Sequence, residues 1–246
     1  MLELLSDPLI DLTVSGARHG VGLFETIRIR DGAPLRLAAH LERLAAGARF
    51  LNLEAPPDPA AVLAFLAAPC AGLACGVLRL VAVDRTLRVT AGPWSPDRPG
   101  RIVLGLGREF RRFSGSPLNR FKTLSYLENR LLAGEAARRG LFEVVALNEA
   151  GRLTDGSRTS LFLVLDGMLL TPPAADGALP GVARRCLLEA GLAREAPLTP
   201  EDLARAEAVL LTNALQGAVP VHGLEAPGGP LDPAHPLLIR AAAALA

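Results

Sequence analysis

One residue stands out for the chemistry that it could perform. Lys122 is the only lysine among the 26 lysines and arginines of the 246-residue chain. Arginine supplies surface charge as well as lysine does, but its guanidinium does not deprotonate in proteins and cannot form an imine. An arginine-rich composition can reflect coding bias alone. The alternative is that the one retained lysine attacks a carbonyl group, and this interpretation predicts nucleophilic catalysis by Lys122.

The segment FKTLSYLENRLLAGEAARRG places Lys122 just before a predicted helix over residues 125–139. Thr123 or Ser125 could cap that helix. Tyr126, four residues after the lysine, could turn its hydroxyl toward the same site. We therefore expect Lys122 to lie in an ordered segment that leads into the helix, and not on a solvent-exposed helix face.

A carboxylate forms the second candidate element. GRLTDGSRTSLFLV places Asp155 beside Gly156 at the mouth of a predicted strand. An aspartate in this position often bonds its own turn backbone. The functional alternative is a carboxylate that faces the protonated ring nitrogen of a heterocyclic cofactor.

Anion binding is the third candidate function. LPGVARRCLLEAGL begins a predicted helix, and the N–H groups of Val182 and Ala183 could receive a phosphate there. TNALQG, at residues 212–217, is a polar loop directly after a predicted strand. Arg43 in HLERL offers a guanidinium for the same phosphate. Each feature taken singly is more often structural than functional.

Composition narrows the class of protein. The formal charge is +1 and half of the residues are apolar, which favours a globular protein without an electrostatic footprint for nucleic acid. No apolar run reaches the length of about 18 residues that a membrane span needs, and no secretory signal opens the sequence. The three cysteines fit a reducing compartment, and the cysteines and four histidines show no metal-ligand spacing. We expect a soluble, cytoplasmic protein without a metal.

Hydrophobic periodicity predicts the elements that must position these residues. Hairpin turns are expected at Asp31-Gly32 and Asp166-Gly167. Arg108, Arg111 and Arg112 form a basic run that is more typical of a solvated loop than of a binding patch. Strands are predicted at residues 20–30, 34–37, 76–83, 101–106, 144–148, 160–165, 168–173 and 208–212. Helices are predicted at residues 37–51, 59–67, 125–139, 180–191, after 200, and at 236–245, and irregular segments at 91–100 and 213–221.

This order of elements predicts two α/β domains. The many hairpin signals favour α+β mixed sheets over a doubly wound parallel sheet. FRRFSGSPLNR, at residues 110–120, has the composition of a connection. We therefore expect a smaller domain at residues 1–109 and a larger one at residues 121–246, which would contain the lysine.

Ordered sequence blocks resemble a known family. GLFETIRIRDG…HLERL, FKTLSYLENRLLAGEA, EVVALNEAGRLTDGSRTSLFLVLDG, TPP…LPGVARR and LTNALQGAVPV are similar to the fold-type IV, or class IV, pyridoxal-phosphate family. That family contains branched-chain and D-amino-acid aminotransferases and 4-amino-4-deoxychorismate lyase. The resemblance implies a two-domain fold like that of D-amino-acid aminotransferase, with pyridoxal 5′-phosphate as cofactor, and a homodimer.

The resemblance also implies roles for individual residues. Lys122 resembles the Schiff-base lysine, and Arg43 resembles the phosphate-binding arginine. Asp155 stands where the family usually has a glutamate that faces the pyridine nitrogen. Tyr126 falls near a tyrosine that contacts the phenolic oxygen of the cofactor. The positions that match the phosphate-binding turns are Val182, Ala183, Asn213 and Ala214.

Some positions depart from the family pattern. Gly20-Val21-Gly22 replaces a common Gly-Asp-Gly, and Asp84-Arg85 replaces an Arg-Gly pair. Ala183 stands where a hydroxyl residue is common, and Ser160 stands where asparagine is common. These departures affect the expected substrate more than the expected cofactor.

Three functions remain open from the sequence. The first is 4-amino-4-deoxychorismate lyase, which yields 4-aminobenzoate and pyruvate for folate synthesis, with Lys122 as acid and base. The second is an aminotransferase of branched-chain or D-amino acids, and the third is a non-catalytic binding protein. The Asn-Ala-Leu loop and the short chain favour the lyase by analogy. Candidate substrate-binding residues are Arg85, Arg88, Glu25 and Thr26.

Overall fold

The computed structural model divides the chain into two compact units. The first comprises Met1–Pro96 and Phe121–Tyr126, and the second comprises Asp97–Arg120 and Leu127–Ala246. Both units combine helices with mixed sheets, which confirms the predicted fold class. The described residues are 1–7, 9, 14–96, 99–226 and 228–246.

The first unit contains a five-stranded sheet in the order β1-β5-β4-β2-β3. β1 is parallel to β5, and the other neighbours are antiparallel. The elements of this unit are β1 (Glu3–Leu5), α1 (Ser15–His19), β2 (Gly22–Arg30), β3 (Ala33–Pro34), α2 (Leu37–Phe50), α3 (Pro59–Cys70), β4 (Cys75–Val83) and β5 (Thr86–Pro93).

Strand β2 follows from its alternating sequence. Its odd-numbered residues, such as Ile27 and Ile29, are buried in a core with Leu41 of α2 and Leu66 of α3. Its even-numbered residues therefore point to the opposite face of the sheet. Asp31-Gly32 closes the predicted hairpin with two positive φ angles, 49° and 76°.

The segment 121–126 packs in the first unit, although the sequence had assigned it to the second domain. The N–H of Phe24 donates to the carbonyl of Lys122 at 2.8 Å, and the N–H of Leu124 donates to the carbonyl of Gly22 at 2.9 Å. These hydrogen bonds satisfy the edge of β2 that β3 is too short to cover.

The second unit contains two sheets. One is five-stranded, in the order β11-β10-β9-β12-β13, and the other is four-stranded, in the order β14-β6-β7-β8. The elements are β6 (Val103–Arg112), α4 (Leu127–Arg138), β7 (Glu143–Asn148), β8 (Leu153–Gly156), β9 (Ser160–Leu165), β10 (Met168–Thr171), α5 (Val182–Glu189), β11 (Arg194–Glu195), α6 (Pro200–Ala204), β12 (Ala208–Asn213), β13 (Gly217–Pro220), β14 (Gly223–Leu224) and α7 (Pro236–Leu245), with short 3₁₀ turns at Pro117–Arg120 and Ala174–Asp176.

Strand β9 is buried on both faces, which explains its continuous apolar run. Leu161 and Leu163 belong to a core shared by the two sheets. Phe162 and Val164 face the other way and pack with Leu187 of α5. This placement fixes α5 over one face of the five-stranded sheet. The first residues of α5 are those that were predicted to bind a phosphate.

Several element predictions differ from the structure. Residues 99–109 belong to the second unit because β6 pairs in parallel with β7. β5 extends to Pro93, into a segment that was predicted to be irregular, because it pairs with β4 as far as Pro93. Residues 217–220 form a strand against β12 instead of a loop. Helix α4 begins at Leu127, since residues 125 and 126 stay with the first unit.

Candidate active site

Lys122 lies in the short extended segment beside β2, and two aromatic rings flank its amine. The Nζ atom donates to the hydroxyl of Tyr126 at 3.2 Å. It lies 4.2 Å from the ring centroid of Phe24 and 4.6 Å from that of Tyr126. The two rings meet edge to face, with centroids 5.1 Å apart. The predicted proximity of Lys122 and Tyr126 is thus present in the structure, whereas Phe24 was not predicted.

The face of the sheet that carries Phe24 also carries three arginines. Phe24, Thr26 and Arg28 share this face because side chains alternate along a strand. Arg79 lies directly opposite Thr26, and Arg88 lies two strands across from Phe24. Lys122 and these guanidinium groups are therefore displayed on one side of the first unit. We call Arg28, Arg79 and Arg88 the arginine face.

Arg28 has an incomplete environment on this face. Its guanidinium lies over the ring of Trp94, 5.7 Å from the centroid. Its Nε atom, like that of Arg88, is buried and lacks a hydrogen-bond partner among the described residues. A carboxylate oxygen would satisfy such a donor. Arg28 and Arg79 were absent from the sequence prediction. The alternation of Arg28 with Phe24 along β2 could have indicated the first, whereas Arg79 joins the face by pairing across strands.

The two arginines that the sequence prediction named have different environments. Arg88 is 16% exposed and donates to the carbonyl of Asp7 at 2.8 Å. Arg85 is 84% exposed, lies in the β4–β5 turn and pairs with Glu54 at 3.2 Å. Of these two, Arg88 is the one that belongs to the arginine face.

Glu25 points to the opposite side of β2 from Thr26 and is 1% exposed. Its carboxylate accepts hydrogen bonds from Nε and Nη2 of Arg43, at 2.8 and 2.6 Å. The Nδ1 atom of His40 lies 2.7 Å from the same carboxylate. Burial raises the pKa of Glu25, but Arg43 and His40 lower it, and the net pKa is below its ordinary value. Glu25 thus contacts Arg43 rather than the face that carries Lys122.

In the second unit, Asp155 is a buried carboxylate with fixed partners. One oxygen pairs with Nη1 of Arg112, and the other accepts from the backbone N–H of Leu179 at 2.9 Å. Asp155 is 5% exposed and Arg112 is 4% exposed. The expectation that Arg112 lies in a solvated loop is wrong, because β6 carries it into the interior. Asp155 therefore presents a carboxylate, with a guanidinium beside it, and this is a group that suits a protonated ring nitrogen.

A second buried carboxylate holds the turn that follows Asp155. Glu143 accepts from the N–H of Ser157 at 3.0 Å, the N–H of Arg158 at 3.3 Å and the hydroxyl of Thr159 at 3.1 Å. Burial raises the pKa of Glu143 above its ordinary value. This residue was not predicted, since only the turn geometry shows its role.

Four of the predicted phosphate-binding residues lie at two turns of the second unit, whereas Arg43 lies on α2 of the first. Val182 and Ala183 open α5, whose N-cap, Gly181, provides no side-chain hydrogen bond. The backbone of this helix start therefore offers N–H groups to an anion. Asn213 begins a tight turn and accepts from Leu215 N at 3.0 Å and from Gln216 N at 2.8 Å. Ala214 lies within that turn.

These residues fit pyridoxal phosphate by their chemistry. Three groups of the cofactor each have a matching partner among them. An amine beside a phenol matches the aldehyde, and a carboxylate held by an arginine matches the ring nitrogen. A helix start without a side-chain cap matches the phosphate. In the second unit, Leu179 links two of these elements, because it binds Asp155 and immediately precedes the Pro180-Gly181 start of α5.

Two negative observations concern the residues that the structure describes. None of their helices is long and apolar enough to span a membrane. Among these same residues, no three histidine, cysteine, aspartate or glutamate side chains are grouped so as to hold a metal ion.

Comparison with known proteins adds a family to this geometry. Residues 22–224 match the family described as amino-transferase class IV. The chain is 28% identical, over 89% of its length and 86% of the relative, to a bifunctional aminodeoxychorismate lyase / D-amino acid transaminase from Mycobacterium tuberculosis. It is 35% identical, over 41% of its length and 34% of the relative, to a branched-chain-amino-acid aminotransferase from Escherichia coli.

A solved structure agrees with the sequence comparison. The PLP-bound form of a hypothetical aminotransferase from Mycobacterium tuberculosis has a TM-score of 0.83 at 27% identity. The similarity covers 97% of this chain and 94% of the other. The resemblance of the sequence blocks to the class IV family is therefore confirmed.

Proposed function

Since the chain belongs to the class IV aminotransferase family, whose cofactor is pyridoxal phosphate, we propose that it is a 4-amino-4-deoxychorismate lyase. The products of this reaction are 4-aminobenzoate and pyruvate. The full-length similarity to a bifunctional lyase and transaminase supports the assignment. The proposed reaction would supply 4-aminobenzoate for folate synthesis.

The arginine face carries this proposal. Aminodeoxychorismate bears an amine and two carboxylates, so its recognition requires cations beside the reactive lysine. Arg28, Arg79 and Arg88 share their side of the sheet with Phe24, which contacts Lys122. A branched-chain amino acid has one carboxylate and an apolar side chain, and it would use less of this positive surface.

The roles of the side chains follow from this assignment. The bound cofactor supplies an aldehyde for the amine and an electron sink for the carbanion. With the cofactor bound, the Lys122 amine would take the proton from the ring carbon that bears the nitrogen. The three-carbon fragment leaves and is protonated to pyruvate while the ring becomes aromatic, so no keto acid, water or oxidant is consumed. Tyr126 holds the lysine amine for this proton transfer.

An aminotransferase is the second candidate function. The 35% identity to a branched-chain aminotransferase over 106 residues favours it. In that reaction Lys122 would move a proton between two carbon atoms, and a keto acid would be required to complete the cycle. Glutamate, a common amino donor, is itself a dicarboxylate that the arginine face could bind.

Product formation without a keto acid separates the two functions. Purified protein is supplied with aminodeoxychorismate, and 4-aminobenzoate and pyruvate are measured. Equal amounts of both products, lost in Lys122→Ala, would support the lyase. Amino transfer from glutamate to a branched keto acid, without lyase products, would instead establish an aminotransferase. A Lys122→Ala variant that keeps its cofactor absorbance and activity would refute the role of the lysine. Wild-type protein that binds pyridoxal phosphate but catalyses neither reaction would favour a non-catalytic binding protein.

Two further proposals concern the state of the protein. We propose a homodimer because the second unit exposes large apolar side chains, and light scattering would measure its mass. These side chains are Phe113, Leu118, Leu127 and Leu131. We also propose a cytoplasmic location, which agrees with three unpaired cysteines, and fractionation of cells would test it.

A further inference from the structure

One buried hydroxyl in the second unit lacks a partner. Thr212, near the end of β12, is 1% exposed, and its Oγ1 atom has no hydrogen-bond partner within the part of the chain that the structure describes. Two other buried threonines in this unit are satisfied. Thr171 donates to the carbonyl of Leu161 at 2.7 Å, and Thr154 donates to the carbonyl of Ala146 at 3.0 Å. A buried hydroxyl without a partner is costly, so Thr212 points to an acceptor from outside the chain.

The position of Thr212 identifies the direction from which that acceptor comes. Thr212 lies directly opposite Ser160 in the β12–β9 pair, so both hydroxyls belong to one face of the sheet. α5 covers that face, because Leu187 packs with Phe162 and Leu210. A Cβ atom added to Gly181, the N-cap of α5, would lie 2.8 Å from Oγ of Ser160. The start of α5 and the two hydroxyls are therefore neighbours.

The polar groups at the start of α5 and on the neighbouring strands favour the binding of a tetrahedral anion. The backbone N–H groups at the start of α5 attract negative charge, and no side chain of the N-cap competes for them. Ala183, in the first turn, has no hydroxyl to contribute. A side chain at position 181 would crowd the hydroxyl of Ser160, and glycine avoids this contact. A hydroxyl donor from β12 completes a set of donors around one anion.

We infer that Thr212 donates its hydroxyl proton to the phosphate group of the cofactor, in place of a hydroxyl that the first turn of α5 lacks. The inference rests on the pyridoxal-phosphate cofactor of the family and is independent of the proposed lyase reaction. Its test needs no substrate, so a failure of the lyase assay would leave it intact.

The test compares binding of pyridoxal phosphate and of pyridoxal, which lacks the phosphate, to apo-protein. Thr212→Val keeps the shape of the side chain and removes the hydroxyl. We expect the Kd for pyridoxal phosphate to rise about tenfold, because a hydrogen bond to a charged group is lost. The Kd for pyridoxal should stay unchanged, and Thr212→Ser should restore the wild-type Kd for pyridoxal phosphate.

Apo-protein stability provides the second readout. Removing an unpartnered hydroxyl should leave the Tm of apo Thr212→Val equal to or above that of the wild type. Thr171→Val is the matched control, since it breaks an existing hydrogen bond on the same sheet. This control should lower the apo Tm without changing the ratio of the two Kd values.

Three results would overturn the inference. They are an unchanged Kd for pyridoxal phosphate in Thr212→Val, an equal loss for both ligands, and a fall in apo Tm like that of the control. If Thr212→Val does not fold, Thr212→Ala is tested with inorganic phosphate as the probe. Phosphate should raise the Tm of the wild-type apo-protein more than that of this variant, and an equal rise would contradict the role of Thr212.

Discussion

Glu25 and Arg43 are joined by two hydrogen bonds of 2.8 and 2.6 Å, from Nε and Nη2 of the arginine to the two carboxylate oxygens. Such a two-point contact fixes the plane of the guanidinium as well as its position. Arg43 is 12% exposed, so its remaining N–H groups keep a defined direction. If Arg43 binds the cofactor phosphate, as the family resemblance implies, Glu25 sets the orientation in which it does so.

Replacing Glu25 should therefore change stability in a pH-dependent manner. The net pKa of Glu25 is lowered in the folded state, so its contribution is present above the ordinary glutamate range and is lost as the pH falls through the folded value. Glu25→Gln should cost roughly 3–5 kcal/mol at pH 7, because Arg43 loses a buried partner. The measurement is urea unfolding of apo-protein at pH 7 and at acid pH. A difference between variant and wild type that does not shrink in acid would contradict this role.

The contact between Lys122 and Tyr126 predicts a catalytic effect. Tyr126→Phe removes the oxygen that accepts from Nζ at 3.2 Å but keeps the ring against Phe24. We expect kcat to fall about tenfold, since one hydrogen bond that orients the amine is lost, and Tm to change by little. The pH dependence of kcat should shift in the same variant, because the environment of the lysine changes. An unaltered pH profile at an unaltered kcat would show that Tyr126 only packs against Phe24.

Much of the fold could be predicted because its local signals agree with its packing. The alternation in β2, the Asp-Gly turns and the apolar spacing in α2 each specify one answer. The domain boundary was harder, since no local feature shows that residues 121–126 bond to Gly22 and Phe24, about a hundred positions earlier. Long-range pairing of this kind leaves little trace in one sequence.

The candidate site likewise contains residues that the sequence could predict and others that it could not. Lys122 and Asp155 could be selected because residue type and a motif coincide in each. Arg112 and Glu143 could not, since their roles come from pairing across strands and turns in the folded chain. Thr212 was passed over for the same reason. A threonine in a strand is ordinary until its hydroxyl is seen to lack a partner.

The buried pair of Arg112 and Asp155 predicts a large loss of stability when one partner is removed. Arg112→Met removes the guanidinium that pairs with the buried Asp155 carboxylate, and we expect the free energy of unfolding to fall by about 3–5 kcal/mol. The double variant Arg112→Met/Asp155→Leu should recover part of this loss. Chemical denaturation of the apo forms measures both, and a double variant less stable than Arg112→Met would refute the pairing as the cause.

The arginine face predicts changes in substrate affinity. Arg28→Gln and Arg79→Gln should each raise KM for aminodeoxychorismate about tenfold, with a smaller effect on kcat, because a contact to a carboxylate is lost. Arg85→Gln is the control, since Arg85 is 84% exposed and pairs with Glu54. Steady-state kinetics of product release measures all three variants. Equal KM values for Arg28→Gln and Arg85→Gln would exclude the arginine face from substrate binding.

Glu143 predicts a second pH effect, of opposite sign to that of Glu25. Because burial raises its pKa, the folded state retains a proton that the unfolded state has lost, and stability falls as the pH rises from the ordinary glutamate value to the raised one. Glu143→Gln removes this component. It also turns an NH₂ group toward the donors of Ser157, Arg158 and Thr159, which should cost about 1–3 kcal/mol.

The same variant should loosen the turn after Asp155 and weaken cofactor binding, since that turn fixes the aspartate at the end of β8. Glu189→Gln is a suitable control, because Glu189 is 67% exposed and lies on α5. Urea unfolding of apo-protein between pH 4 and 8 measures stability, and absorbance titration measures the Kd for pyridoxal phosphate. If Glu143→Gln keeps the wild-type slope of stability with pH, the carboxyl of Glu143 does not titrate in this range. If it also keeps the wild-type Kd, the turn is held by its backbone alone.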